Sequence, residues 1–173
     1  MEYNIDERFQ TPPEVCGYMC SMIPKDACII LEPTPGKGNI LKALDNIERP
    51  ILIQAPLNFF DLDKTIRYDA IVMNPPFSDK YAFGVPQDVQ EKGMRLGYYI
   101  LTECMKMSDH IIALMPWFTI SDSDVRLRFL KQYGLKSITA LPRKTFQYAR
   151  IQTCIFELEK EFKGDTIFKT LTL

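Results

Sequence analysis

The apolar run Tyr68-Asp69-Ala70-Ile71-Val72-Met73 ends against Asn74-Pro75-Pro76-Phe77, and this junction constrains the fold more than any other stretch. It reads as a buried strand running into a rigid tetrapeptide. Two consecutive prolines fix φ and remove two backbone donors, so a central strand must stop there. What remains at the strand end is mostly acceptors: the Asn74 amide oxygen and the Pro75 carbonyl. The aromatic face of Phe77 follows. That set suits a planar group carrying an NH2, with the oxygens accepting from the amine while the ring stacks. A proline-rich turn after a core strand is also common, and four residues do not decide between the two.

A second strand-to-turn unit lies upstream, Ile29-Ile30-Leu31-Glu32-Pro33-Thr34-Pro35-Gly36-Lys37-Gly38-Asn39, continued by the amphipathic Ile40-Leu41-Lys42-Ala43-Leu44. Glycines at such a junction let a ligand approach the backbone closely, and a helix start follows. The acid at the strand end, Glu32, is foreign to a phosphate loop and suits an ammonium group. Lys37 is not followed by the Gly-Lys-Ser/Thr arrangement of a nucleotide-triphosphate loop. Further upstream, Thr11-Pro12-Pro13-Glu14 predicts a helix start, with Thr11 as N-cap, Pro12 at the first helical position and Glu14 three residues after the cap. Val15, Tyr18, Met19 and Met22 then recur at helical spacing.

The remaining chain alternates in the way that predicts a mostly parallel sheet with helices on its faces. Helices are expected near 12–23, 38–47, 94–107 and 122–133, the last capped by Ser121 or Asp122. Strands are expected near 28–32, 51–54, 69–73, 110–115, 136–141, 151–159 and 166–172. A long loop from 77 to about 92 leaves directly from the Asn-Pro-Pro-Phe turn and is read as a lid or substrate loop. The 173 residues suit a single domain, 1–173, with a real core.

The three motifs, in this order, resemble the DNA adenine-N6 methyltransferases that carry their cofactor motifs first. Phe9-Gln10-Thr11-Pro12-Pro13-Glu14 looks like that family's TPPE helix start, Glu32-Pro33-Thr34-Pro35-Gly36-Lys37-Gly38 like its cofactor loop, and Asn74-Pro75-Pro76-Phe77 like its catalytic loop. His110-Ile111-Ile112-Ala113-Leu114-Met115-Pro116 resembles its strand ending in proline. Leu141-Pro142, Phe146 and Ile151–Phe156 resemble the segment in which an aromatic precedes an antiparallel strand. The resemblance runs from about Phe9 to Lys160. It implies a Rossmann-like α/β methyltransferase fold with an antiparallel C-terminal strand, and S-adenosylmethionine as cofactor. The implied catalytic residues are Asn74, Pro75, Pro76 and Phe77. The implied cofactor residues are Thr11, Glu32, Pro33, Gly36, Gly38, Gln54, Asn58 and Asn74. Phe77 and Phe146 are implied to sandwich the substrate base, and the residues around Phe146, namely Tyr148, Arg143, Lys144 and Arg150, are read as further substrate-binding residues.

Two departures from that pattern carry information. Only 35 residues separate Gly38 from Asn74, where a full helix–strand–helix–strand passage needs roughly fifty. One helix/strand unit between 39 and 73 is therefore shortened. The strand after the glycine loop normally ends in an acid that binds ribose hydroxyls; Gln54 stands there, and Asn58 replaces a later acid. The second departure is size, since the family usually carries a separate recognition domain.

The net charge is −1, so no global attraction to phosphates exists. Arg126, Arg128 and Lys131 fall on one predicted helix. Arg143, Lys144 and Arg150 bracket Phe146 and Tyr148, a pattern that suits an unstacked nucleotide. The five cysteines, at 16, 20, 28, 104 and 154, form no CxxC pair and read as reduced. His110, the single histidine, has no partner in sequence and is read as structural, and no zinc site is expected. No apolar run is long enough to span a membrane, and the polar start Met1-Glu2-Tyr3-Asn4 is not that of a signal peptide. The expectation is a cytoplasmic enzyme acting on nucleic acid, DNA first, with a possible recognition subunit. Transfer to RNA adenine or to a protein amide remains open, as does a non-catalytic subunit that kept the fold.

Overall fold

A computed structural model describes residues 9–82, 84–92, 95–146 and 151–172. Seven strands form one sheet: β1 (Ile29–Leu31), β2 (Leu52–Gln54), β3 (Ala70–Met73), β4 (His110–Pro116), β5 (Leu135–Ala140), β6 (Thr153–Glu159) and β7 (Ile167–Thr170). Their order is β2-β1-β3-β4-β6-β5-β7. All neighbouring pairs are parallel except those of β6, which runs antiparallel to both β4 and β5. The Rossmann-like α/β class expected from the sequence is the one observed.

The helices are α1 (Pro13–Ser21), α2 (Asn39–Asp45), α3 (Gln87–Glu91), α4 (Leu96–Met107), α5 (Phe118–Ser121) and α6 (Asp124–Tyr133). They divide between the faces of the sheet. Side chains alternate across a strand with period two, so Ile30, Val72, Ile112 and Ile155 meet α1 and α2, whereas Leu31, Ile71, Ile111 and Phe156 meet α4 and α6. The central strands are buried on both faces, which explains why they read as unbroken apolar runs. No helix among the described residues is long and apolar enough to cross a membrane.

Several local expectations give way to tertiary contacts. Pro12, not Thr11, occupies the cap of α1, and no side chain caps it; Glu14 is exposed. The expected capping box is absent because Thr11 is 3% exposed and its hydroxyl is engaged elsewhere. The helix expected over 122–133 is α6, but Ser123, not Ser121 or Asp122, caps it by accepting from the Arg126 N–H at 3.3 Å, and the short α5 before it is an element the sequence reading did not expect. The segment after Phe77 is not a bare loop, since it holds a 3-10 turn over Asp79–Tyr81 and the helix α3. Between α2 and β3 the chain forms only the three residues of β2 and a 3-10 turn, Phe59–Asp61. That is the shortened unit, and it leaves β2 at the edge of the sheet.

Candidate functional site

From β1 the chain crosses to β2 on one side and later to β3 on the other. The carboxyl ends of β1 and β3 therefore flank a topological switch point, where open α/β sheets bind ligands. Glu32 extends β1 and Asn74 extends β3. By strand alternation both continue the face covered by α1, following Ile30 and Val72.

The segment Phe9–Thr11 ties the two loops together. The Asn74 side-chain nitrogen donates to the Phe9 carbonyl at 2.9 Å and to Thr11 Oγ1 at 3.0 Å. Both of its N–H bonds are thus used. The amide oxygen Oδ1 has no hydrogen-bond partner among the described residues and stays available as an acceptor. The Thr11 carbonyl accepts from Asn39 Nδ2 at 2.9 Å, at the start of α2. The Gln10 side-chain oxygen accepts from the Lys37 N–H at 3.1 Å, inside the glycine loop. Phe9 meets Phe77 edge to face, with ring centres 6.3 Å apart. Sequence reasoning placed Thr11 at the site but missed the bracing by Phe9, Gln10 and Asn39. The visible signal was that all three belong to the two quoted motifs.

Glu32 is the electrostatic centre of this arrangement. It is 0% exposed. One carboxyl oxygen accepts from the Thr34 N–H at 2.8 Å and from the Thr34 hydroxyl at 3.3 Å. The other, Oε2, is buried with no hydrogen-bond partner among the described residues. Burial pushes the carboxyl up to about 8, with the Thr34 hydrogen bonds opposing the shift. A buried carboxylate with an orphaned oxygen is costly unless something cationic meets it. The same burial pushes the α1 thiols of Cys16 and Cys20 up to about 12 and about 11, and the Glu32 charge adds to both. They are poor nucleophiles near neutral pH.

The loop that follows has the backbone its glycines permit. Gly36 has φ 53° and Gly38 has φ 81°. A Cβ on Gly36 would stand 3.2 Å from the Gln10 side-chain oxygen, so a side chain there would press on the brace. Pro33 is buried between Glu32 and this turn.

The other expected residues are less closely gathered. Gln54 ends β2 beside Leu31 in the register, but its side chain is exposed. Its carbonyl accepts from the Glu32 N–H at 2.9 Å, which holds the two strand ends together. The Asn58 side-chain oxygen caps the 3-10 turn by accepting from the Phe60 N–H at 3.1 Å. Its amide nitrogen lies against Gly84 in the segment after Phe77. Pro75 is buried and Pro76 half-buried. Phe77 is half-buried and packs on the apolar cluster beneath α1, the cluster that also holds Phe146. Phe146 is only 6% exposed, so its ring faces are covered by that core rather than open for stacking. Arg143 and Lys144 are exposed on the turn after β5. Tyr148 and Arg150 lie outside the described residues.

No protein-family model and no curated protein matches this sequence. Solved structures do match the fold. A protein described as a class I S-adenosylmethionine-dependent methyltransferase, from Listeria monocytogenes, is similar at a TM-score of 0.72 and 15% identity, over 99% of this chain and 68% of its own. The modification subunit described for a type I restriction enzyme of Vibrio vulnificus YJ016 is similar at 0.69 and 20% identity, over 95% of this chain. The type I restriction-modification methyltransferase subunit of Streptococcus thermophilus is similar at 0.66 and 16% identity, over 94% of this chain. This chain spans 47% of the length of each of the last two. At these identities the likeness concerns the fold, which is the Rossmann-like fold of methyltransferases.

Proposed function

We propose that this chain is an S-adenosylmethionine-dependent methyltransferase acting on the exocyclic N6 amine of adenine in DNA. The observation that carries this reading is the pairing of Asn74 with Glu32. Asn74 spends both N–H donors on Phe9 and Thr11, which leaves Oδ1 as an acceptor at the end of β3. Glu32, at the end of the adjacent strand β1, offers a buried oxygen with no partner.

The cofactor fits this donor set through its amino acid portion. The orphaned Glu32 oxygen suits a cationic group, and the Gly36–Gly38 backbone leaves room for close approach. S-adenosylmethionine, when bound, would supply a methyl group on a sulfonium, electrophilic enough to be attacked by an aromatic amine, with the neutral thioether as the leaving group. The chain's own residues do the rest by positioning. Asn74 Oδ1 and the Pro75 carbonyl accept the two N–H bonds of the amine, which favours its lone pair as the nitrogen becomes tetrahedral. Phe77 supplies an aromatic face to the base, which must leave its stack to arrive there. The proton released after transfer passes to solvent and needs no dedicated base. Modification and methyltransferase subunits of type I restriction systems among the similar folds support a nucleic-acid substrate and a partner subunit.

One region favours a second reading, a non-catalytic subunit. Exposed Gln54 and half-buried Asn58 stand where acids would hold the ribose. Calorimetric titration with S-adenosylmethionine separates the two readings: binding is expected, and its absence overturns the enzyme. Methyl transfer is then measured with radiolabelled cofactor on DNA and RNA strands containing adenine, and on strands with purine in its place. Label is expected on adenine DNA, faster on single or mismatched strands because unstacking costs less there. Label on RNA alone or on purine strands overturns the assignment.

A further inference from the structure

The carboxyl edge of the sheet carries two cations that stand apart from the groups visible in the sequence. Arg95 immediately precedes α4, and its guanidinium carbon lies 4.0 Å from the ring centre of Phe118. Arg126, in the first turn of α6, lies 5.6 Å from the ring centre of Tyr98. Neither has a carboxylate within ion-pair distance among the described residues. Arg128 on the same helix differs, pairing with Asp124 at 2.5 Å.

Both rings are tied to the catalytic edge. Phe118 opens α5 directly after β4. Tyr98 follows Gly97, where a Cβ would stand 3.2 Å from the Pro76 carbonyl oxygen and 3.5 Å from Phe77 Cα. The first turn of α4 thus lies against the Asn-Pro-Pro-Phe turn itself. Cation–π contacts occur about once per 70–80 residues. Here Lys64, Lys92, Arg95 and Arg126 stand over four rings, those of Phe59, Tyr98, Tyr99 and Phe118. Lys64 and Lys92 are already paired with Glu103 and Asp88. Arg95 and Arg126 are therefore the two cations of the group whose charge is unspent.

An aromatic face fixes a guanidinium but takes none of its five in-plane N–H donors. The rings hold the two arginines in place at little entropic cost while their donors stay open to a planar anion such as phosphate. With a net charge of −1, a generally basic surface is not the explanation. On the other side of the sheet, Arg143 and Lys144 stand exposed at the carboxyl end of β5.

We infer that Arg95 and Arg126 bind backbone phosphates of a single, unstacked nucleic-acid strand that passes over the Asn74–Phe77 turn between them and the Arg143–Lys144 turn. This rests on the nucleic-acid reading above and adds the track along which the substrate is held. A base must leave its stack to reach the Asn74–Phe77 turn, so the strand held here is a single one rather than an intact duplex.

The test is fluorescence anisotropy of a short adenine-containing single-stranded DNA across a salt series. The wild-type chain is compared with the double variants Arg95→Gln/Arg126→Gln and Arg95→Lys/Arg126→Lys. Melting temperature and calorimetry with S-adenosylmethionine run alongside. The Gln pair should lose about 10- to 100-fold in affinity at low salt. Its slope of log K against log salt should become shallower by about 1.4, since each single-strand phosphate contact contributes about 0.7. The Lys pair should keep the wild-type slope with weaker binding, and cofactor affinity should be unchanged in both. If the wild-type chain binds and methylates the strand while the Gln pair keeps its affinity and slope, the inference is wrong and the proposed function stands. If the Lys pair loses as much slope as the Gln pair, the two arginines act structurally and the inference is also wrong. If the wild-type chain binds S-adenosylmethionine but no nucleic acid, both fail.

Discussion

The strands β1 and β2 end side by side, about 4.8 Å apart as neighbours in a sheet, yet Glu32, just past the end of β1, and Gln54, closing β2, are built in opposite ways. Glu32 is buried, bonded to Thr34, and left with one oxygen that has no partner among the described residues. Gln54 is exposed at the edge of the sheet, and Asn58 beyond it spends its oxygen on its own turn. The difference shows how little residue type says about binding strength until burial is known. A charge in a dry, pre-formed pocket interacts strongly, whereas an amide in water exchanges one partner for another at small net gain.

The largest expected effect lies at the braced end. Asn74→Ala removes the free acceptor and both bonds to the brace. It should lower methyl transfer by about 10²–10³-fold, in the range seen when a transition-state hydrogen-bonding group is deleted. The melting temperature should change little. Transfer at the wild-type rate in a radiolabelled assay would remove Asn74 from the mechanism.

Next in size is Glu32→Gln, which should weaken S-adenosylmethionine by about 10- to 100-fold, the value of a charge-assisted hydrogen bond. Its pH behaviour tests the burial argument. Burial pushes the folded-state carboxyl up to about 8, from an ordinary carboxyl value of about 4.5 in the unfolded chain. The folded chain therefore binds more protons than the unfolded chain between these values, and stability falls as pH rises through that window. Above about 8 the ionised acid is a full burden on the free protein. The Gln variant should melt higher than wild type at pH 9 and alike at pH 4. For wild type, cofactor affinity should rise as pH rises toward 8, because the cation prefers the ionised acid. A flat affinity profile would show that Glu32 does not meet the cofactor's charge.

Gly36→Val and Gly38→Val should follow. Both positions have positive φ, and strain of about 1–3 kcal/mol is expected for a branched residue at each. Gly36→Val should weaken the cofactor more, since its side chain also presses on Gln10. Equal loss at both sites would argue against that contact.

The smallest effects belong to the exposed end. Gln54→Ala should change cofactor affinity less than about threefold. Gln54→Asp should tighten it by about tenfold if the missing acid is what separates the two strand ends. Wild-type affinity should lie in the tens of micromolar, roughly, for want of one or two such bonds. A submicromolar value would mean that another residue holds the ribose.

The strand ends at 31 and 73, the glycine loop and the shortened stretch before β3 were all legible in the sequence. Each is set by neighbours in the chain: proline halts a strand, glycine admits positive φ, and too few residues cannot build another helix. Tertiary structure alone decided the rest. Thr11 reads locally as a helix cap, but its hydroxyl accepts from Asn74, 63 residues away. Phe146 reads as an open stacking ring, but the core beneath α1 covers it. Arg95 and Arg126 lie far apart in sequence, and only the fold sets each against a ring at the same edge of the sheet. The residues at the site were visible because local chemistry restricts them, while their partners were not, because a hydroxyl, a ring or a guanidinium can serve many neighbours and only packing selects which one it meets.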